Sequence, residues 1–185
     1  MSPGLRAYLR PGDALYGKMN MTHDYLNQEF LMRSVTAFRA ALIGPDPDGD
    51  DRDAPILNDY LTVLQGRRMK LHGWASGHPR LGAAFVTTSQ LIHVTPDRRW
   101  ARTLSRWYRL GRPQRLDTSQ LSPDIELAGY CVPMTPDGFS IPLHLARRLM
   151  EQGPTGLSRS AMEKGLIELS ESLSAIAESW PPQRR

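Results

Sequence analysis

The sequence predicts an α+β fold in which a central antiparallel β-meander is flanked by N-terminal and C-terminal helices. Apolar residues recur at helical spacing before residue 66 and after residue 140. Between residues 67 and 132, short runs rich in β-branched and aromatic residues are separated by turn-forming residues. The 185-residue length and 40% apolar content suit one compact domain with a buried core.

The N-terminal part is predicted to contain a loose tail and then two helices. Residues 1–20 have no periodicity and carry repeated proline and glycine, which predicts a tail. Residues 21–66 are predicted to form a helical segment, whose first helix ends at Gly44 and Pro45 and whose short second helix ends at Gly66. The apolar face of the first helix is Leu31, Val35, Phe38 and Leu42, and that of the second is Ile56, Leu57, Tyr60, Leu61 and Leu64.

Between these helices lies an acidic linker, residues 45–53. Three of its aspartates stand at the first, third and fifth positions of a calcium-binding loop. The sixth position is Asp51 rather than glycine and the twelfth is Leu57 rather than glutamate, so a calcium site is not predicted. We expect the aspartates to lie near the basic residues described next and to weaken their attraction for anions. They are Asp46, Asp48, Asp50, Asp51 and Asp53.

Positive charge is concentrated in residues 67–115, called here the basic segment. It contains ten arginines, one lysine and one acidic residue, and therefore carries a charge of +10 in a chain whose total is +4. The aromatic residues interleaved with these cations are Trp74, Trp100, Trp107 and Tyr108. This composition is typical of a surface that binds a polyanion, and a solvated arginine-rich surface is the alternative.

The basic segment is predicted to form most of the β-meander. Strand-like runs occur at 69–73, 85–88 and 91–94, and residues 95–98 have the composition of a turn. Residues 100–110 fit either a returning strand or an amphipathic helix with arginines on one face.

Three short motifs stand out between residues 73 and 111. They are Gly77-His78-Pro79, Thr87-Thr88-Ser89 and Ala101-Arg102-Thr103-Leu104-Ser105-Arg106-Trp107-Tyr108-Arg109-Leu110-Gly111. Together they resemble a signature of small bacterial and prophage-type proteins that share a domain of unknown function. The resemblance implies a module that contains a β-hairpin, favours the strand for residues 100–110, and implies no catalytic residue.

The predicted nucleic-acid contacts are six arginines and one tyrosine. They are Arg80, Arg98, Arg99, Arg102, Arg106, Tyr108 and Arg109. Arginine forks match phosphate oxygens, and exposed aromatic rings stack on unpaired bases. In a single strand over residues 100–110, alternation places Tyr108 on the same face as Arg102 and Arg106.

A catalytic alternative is a metal-independent enzyme that cleaves phosphodiesters. In this alternative Arg80, Arg102 and Arg106 hold the phosphodiester while His78 transfers a proton.

Other reactive groups do not form a recognisable site. The zinc-ligand types His72, His78, His93 and Cys131 lack the close spacing of a zinc site, so no metal or other cofactor is predicted. Cys131 lies in an apolar stretch and is expected to be a small buried hydrophobe. Ser89 lacks the Gly-x-Ser-x-Gly context of a hydrolase nucleophile.

Residues 133–180 are predicted to form a helical pair after a last strand at 125–132 and a turn at 135–138. Ser140 is expected to cap the first helix, and residues 160–163 to begin the second with a capping box. The apolar stripe of the second helix is Met162, Leu166, Leu169, Leu173 and Ile176. Such a stripe is typical of core packing, and a homodimer seam is the alternative.

The sequence favours a small basic cytoplasmic protein that binds DNA or RNA without catalysis. It contains neither a signal-peptide pattern nor an apolar run long enough to span a membrane. An adaptor that meets an acidic protein surface is the main alternative, because interfaces also favour arginine, tryptophan and tyrosine.

Overall fold

A computed structural model describes residues 26–66, 68–114, 132–135 and 138–182. The tail predicted at 1–20, most of the strand predicted at 125–132, and Cys131 lie outside these residues. In chain order the elements are α1 (Gln28–Ile43), β1 (Ile56–Gln65), β2 (Arg68–His78), β3 (Gly82–Thr87), β4 (Leu91–Val94), β5 (Trp100–Thr103), β6 (Trp107–Leu110), β7 (Val132–Thr135), β8 (Gly138–Ser140), α2 (Leu143–Glu151), α3 (Gly153–Glu163) and α4 (Ile167–Glu178).

Helix α1 confirms the first predicted helix. Its N-cap is Asn27, whose Oδ1 accepts a hydrogen bond from the backbone N–H of Phe30 at 2.8 Å. Leu31, Val35 and Phe38 are buried on one face, as their spacing predicts. The helix ends before Gly44, whose φ of 93° is a conformation that other residues rarely adopt.

The second predicted helix is wrong, because its residues form strand β1. A β-bulge between Asn58 and Leu61 inserts an extra residue into the strand, and Asp59 within it has a φ of 48°. The bulge resets the alternation, so that Leu57 and Tyr60 both lie in the same apolar cluster. Apolar residues along β1 therefore recur at the i, i+3, i+4 and i+7 spacing of a helix.

The strands form a mixed sheet in the order β3-β2-β1-β6-β5-β4. Strand β1 lies at its centre, antiparallel to β2 and parallel to β6. Antiparallel pairs join β2 to β3 on one side and β6, β5 and β4 on the other. The α+β class is confirmed, and a parallel pair at the centre divides the predicted meander into two antiparallel units.

Residues 100–110 form two strands rather than one. The strand interpretation is confirmed over the helix, but β5 and β6 are antiparallel partners joined by a turn at 104–106. Thr103 closes this turn, because its N–H and its hydroxyl both donate to the carbonyl oxygen of Arg106, at 2.9 and 3.0 Å. The turn interrupts the alternation of side chains between the two faces of the sheet. The faces expected for a continuous strand over residues 100–110 therefore do not apply to the residues of β6.

The C-terminal region, as far as the structure describes it, contains three helices where two were predicted. Strand β7 pairs with β8, which pairs with the end of β1. Ser140 lies in β8 and the N-cap of α2 is Pro142, so the predicted cap is wrong. The capping box is also wrong, because residues 160–163 end α3, and Gly165, with a φ of 73°, separates α3 from α4. None of the described helices has the length and apolar character needed to cross a bilayer.

Two apolar clusters hold the helices against the sheet. The first lies between α2 and the inner face of the sheet, defined here as the face that carries Leu57, Leu71, Ala101 and Tyr108. The opposite face is called the outer face. The second cluster joins α1, α3 and α4 to Ile92 of β4. Leu173 and Ile176 belong to the second cluster, so this part of the C-terminal apolar stripe packs in the core.

Candidate functional site

The outer face of β5 and β6 carries a cluster of arginine and tryptophan. The register pairs Trp100 with Arg109 and Arg102 with Trp107, which places these four side chains on one face. Tyr108 instead lies in the inner cluster, where burial raises the pKa of its hydroxyl. Tyr108 therefore lies on the opposite face from Arg102, and the prediction that they share a face is wrong. Because its ring is buried, it cannot stack on a base.

Arg102 packs within this cluster, and its side chain is only partly exposed to solvent. Its guanidinium carbon lies 6.0 Å from the centroid of the Trp107 ring. Its Nε is buried and has no hydrogen-bond partner in the part of the chain that the structure describes. Burial lowers the pKa of Arg102, and the charge of Asp51 acts in the opposite direction. Asp51 is thus close enough to influence Arg102, as expected for the acidic linker.

The other predicted arginines lie at two ends of the sheet. Arg98 and Arg99, in the turn between β4 and β5, are exposed near Arg109, which is also exposed. Arg80, in the turn between β2 and β3, and Arg106, in the turn between β5 and β6, lie at the other end. The seven predicted contact residues therefore do not form one continuous surface.

His78 lies near Arg80 and Arg106 at this second end. Its Nδ1 accepts hydrogen bonds from the backbone N–H groups of Arg80 and Leu81, both at 3.3 Å. Burial, followed by the charges of Arg106 and Arg80, lowers the pKa of His78. With Nδ1 as the acceptor, the proton of the neutral ring is on Nε2, so that nitrogen cannot accept a substrate proton. The geometry suits a turn cap better than a catalytic base, and the guanidinium of Arg102 packs on Trp107 on the outer face.

The remaining candidate reactive groups are separated or engaged. His72 on β2 and His93 on β4 belong to strands with three others between them. Among the described residues, no group of three or more His, Cys, Asp or Glu side chains is placed to hold a metal ion. The Oγ of Ser89 lies 2.9 Å from the Oγ of Ser105 and accepts a hydrogen bond from the Ser105 N–H at 3.2 Å.

The acidic linker is folded into a hydrogen-bonded turn. The Oδ1 of Asp46 accepts from the N–H of Gly49 at 3.0 Å, and the Oδ2 of Asp51 accepts from the N–H of Asp46 at 2.9 Å. Just beyond the linker, the carbonyl oxygen of Ala54 accepts from the Nε of Arg109 at 3.2 Å. The linker therefore adjoins the arginine and tryptophan cluster.

Two exposed aromatic side chains on the outer face were not predicted as contact residues. Trp74 on β2 and Phe85 on β3 are cross-strand partners, and they are 48% and 63% exposed. Asn58 on β1 is the partner of Trp74 on its other side. These three residues form a row across three strands, called here the aromatic row. The signal was in the sequence, because alternation along β2 places Trp74 on the same face as the polar Lys70 and His72.

The aromatic row continues toward Arg98, Arg99 and Arg109, at what we call the basic end of the sheet. Next to Asn58 on the same face, Ile56 is the partner of Arg109, which is in turn the partner of Trp100. The N–H of Arg112 donates to the Oδ1 of Asn58 at 3.2 Å. Aromatic, amide and guanidinium groups thus share the outer face from β3 to β5, which spans about 19 Å at about 4.8 Å per strand. We call this surface the outer-face track.

Comparison with known proteins places the chain in a family. Neither the curated proteins nor the solved structures give a significant match. A family of unknown function, DUF6634, matches residues 21–129, which is more than half of the chain and includes the motifs between residues 73 and 111. The resemblance to a family of unknown function is confirmed, and the chain belongs to the DUF6634 family.

Proposed function

We propose that this protein is a non-catalytic cytoplasmic module that binds single-stranded nucleic acid along the outer-face track. The observation that carries the proposal is the exposed pair Trp74 and Phe85, side by side on adjacent strands. Burying a large apolar side chain contributes about 1.5–3 kcal/mol to folding, and Trp74 forgoes about half of that gain and Phe85 more than half. Two neighbouring exposed rings are therefore better explained as a binding surface than as unused core.

The spacing of the two rings suits consecutive bases. Side chains directly opposite each other on antiparallel strands have Cβ atoms about 4.5–5.5 Å apart. Trp74 and Phe85 at this spacing can accept two neighbouring bases of an unpaired strand, and each stack contributes about 1–3 kcal/mol. RNA-recognition sheets use aromatic residues of adjacent strands in the same way.

The phosphates of the strand would meet the arginines at the basic end of the track. Arg98, Arg99 and Arg109 are exposed there, and so is Arg112, despite its 2.9 Å ion pair with Asp59. An exposed ion pair contributes little, so a phosphate can compete for Arg112. Four such contacts on single-stranded nucleic acid give a logarithmic salt dependence of roughly −3, whereas all ten arginines of the basic segment would give roughly −7.

Stacking on protruding rings requires unpaired bases, because in a duplex both faces of each base are covered. We therefore expect single-stranded DNA or RNA to bind more tightly than a duplex of the same length at the same salt concentration.

The test is fluorescence anisotropy with labelled single-stranded and double-stranded oligonucleotides across a salt series. Trp74→Ala and Phe85→Ala are each expected to weaken single-strand binding about 5- to 150-fold. Met162→Ala on α3 is the matched control, because this apolar side chain is 51% exposed but lies away from the sheet. Equal affinities for the wild type and the Trp74→Ala/Phe85→Ala double variant would refute the proposal.

An acidic protein partner is the second candidate for the same surface. Arginine and exposed aromatic residues also suit protein interfaces, and β3, an edge strand among the strands that the structure describes, could pair with another chain. Absence of nucleic-acid binding at low salt would favour this candidate. Cleavage of the oligonucleotide, checked on a gel after the titration, would favour the phosphodiesterase alternative and His78.

A further inference from the structure

A cleft of about 600 Å³ opens beside the basic end of the outer-face track. It lies between the C-terminal end of α1, the acidic linker, and the turn that joins β4 to β5. This volume is in the range of small-molecule sites and accommodates a planar heterocycle.

One wall of the cleft is the indole of Trp100. This residue is half-buried and stands edge-to-face against Trp107, with 6.4 Å between the ring centroids. It is also the last residue of the outer-face track, opposite Arg109. The other rigid apolar lining consists of Pro45, Pro47, Pro96 and Pro182. Flat, rigid walls of this kind suit a planar ring.

His93 supplies a polar group to the same cleft. Its ring is packed edge-to-face against Trp180, with 5.5 Å between centroids, which restrains its orientation. Burial and the charge of Arg147 lower the pKa of His93 to about 4, so the ring is neutral at pH 7. Neither ring nitrogen of His93 has a hydrogen-bond partner within residues 26–66, 68–114 or 138–182. A neutral imidazole offers one donor and one acceptor, which matches the edge of a nucleobase.

One side of the cleft is the turn between β4 and β5, which is held in shape by its own hydrogen bonds. The hydroxyl of Thr95 donates to Asp97 at 2.6 Å and accepts from the N–H of Trp100 at 3.0 Å. Asp97 also accepts from the N–H of Arg99 at 3.0 Å. The side chains of Arg98 and Arg99 are exposed on this turn, and Arg99 lies 3.9 Å from the carboxylate of Asp97. The turn keeps a net positive charge, so it can attract a phosphate attached to a base in the cleft.

We propose that this cleft binds one nucleobase, which stacks on Trp100 and hydrogen-bonds through its edge to His93. The base can belong to a strand that lies on the outer-face track or to a free nucleotide. The first source rests on the proposed function, and the second does not. An unstacked base held beside a sheet is a common feature of single-strand recognition.

The test combines two titrations of the 185-residue chain. Nucleoside 5′-monophosphates, added to the wild type and followed by NMR, are expected to shift the amide signals of residues 41–47 and 93–100. Trp100→Ala is expected to weaken single-stranded oligonucleotide binding about 5- to 150-fold, and Trp100→Phe to recover most of it. His93→Phe is expected to weaken binding about 2- to 10-fold, because it removes one hydrogen bond but keeps a ring.

The outcomes distinguish this inference from the proposed function. Monophosphate binding at the cleft without oligonucleotide binding would assign the cleft to free nucleotides and overturn only the proposed function. Oligonucleotide binding that depends on Trp74 and Phe85 but not on Trp100, with no monophosphate shifts, would overturn only the inference. Absence of both kinds of binding would overturn both.

Discussion

His93 is expected to make the folding stability depend on pH. It is 8% exposed on β4, and burial with the nearby charge of Arg147 lowers its pKa from 6.5 to about 4. The small cavity beside it is lined by Arg147, Glu151 and Trp180. Because the unfolded chain takes up a proton near pH 6.5 and the folded chain does not, acid favours unfolding.

The size of the effect follows from the two pKa values. The pKa of His93 is lower in the folded state than in the unfolded state. Its contribution to the free energy of unfolding is therefore fully present above about pH 6.5 and is lost as the pH falls toward 4. A pKa difference of about 2.5 corresponds to about 3 kcal/mol, of which roughly 2 kcal/mol is lost between pH 7 and pH 5.

Urea unfolding at pH 7 and pH 5 measures this loss directly. In His93→Phe the difference in unfolding free energy between the two pH values should shrink by about 2 kcal/mol relative to the wild type. Some pH dependence should remain, because burial also lowers the pKa values of His72 and His78. Ile92→Val is the control, since it trims a buried neighbour at a cost of about 1 kcal/mol and leaves the histidine in place. An unchanged pH dependence in His93→Phe would refute the reasoning.

Three further changes test the sheet, the acidic linker and the core. Gly73→Ala should destabilise the protein by about 1–3 kcal/mol in thermal unfolding, because a Cβ there would lie 2.8 Å from the carbonyl oxygen of Asn58. Gly156→Ala, where a Cβ meets open space, should not destabilise it. Changing all five linker aspartates to asparagine should tighten oligonucleotide binding at low salt, and unchanged affinity in anisotropy would contradict the proposed electrostatic role. Leu173→Ala should cost about 2–5 kcal/mol in urea unfolding, because this side chain is fully buried in the second apolar cluster; a loss well below 1 kcal/mol would contradict that packing.

Local pattern was sufficient where an element keeps a regular apolar spacing or a strand-like composition without interruption. The helix with Leu31, Val35 and Phe38 on one face and the run Leu91 to Val94 were predictable from spacing and composition alone. Strand β1 was not, because its bulge gives a strand the apolar spacing of a helix. Its partners β6 and β8 are also distant in sequence, so no local pattern could indicate its central position.

The candidate site was predictable in composition but not in arrangement. The concentration of arginine and tryptophan after residue 67 indicated a charged surface, whereas the turn at 104–106 decided which side chains share a face. That turn moved Tyr108 into the core and grouped Arg102 with Trp107. Trp74 and Phe85 could have been identified by asking which aromatic residues alternate with buried ones, because this pattern does not depend on distant contacts.

The arginines of the basic segment lie in different environments in the fold. Arg102 packs on Trp107, and Arg80 and Arg106 flank His78. Arg98, Arg99, Arg109 and Arg112 are exposed at one end of the outer-face track. Phosphate contacts position a strand, and they weaken as salt rises. Stacking on aromatic rings has no comparable dependence on counterions. The charge pattern of the sequence alone did not identify the exposed rings of Trp74 and Phe85. As the salt concentration increases, binding along the outer-face track should nevertheless depend more and more on these two rings.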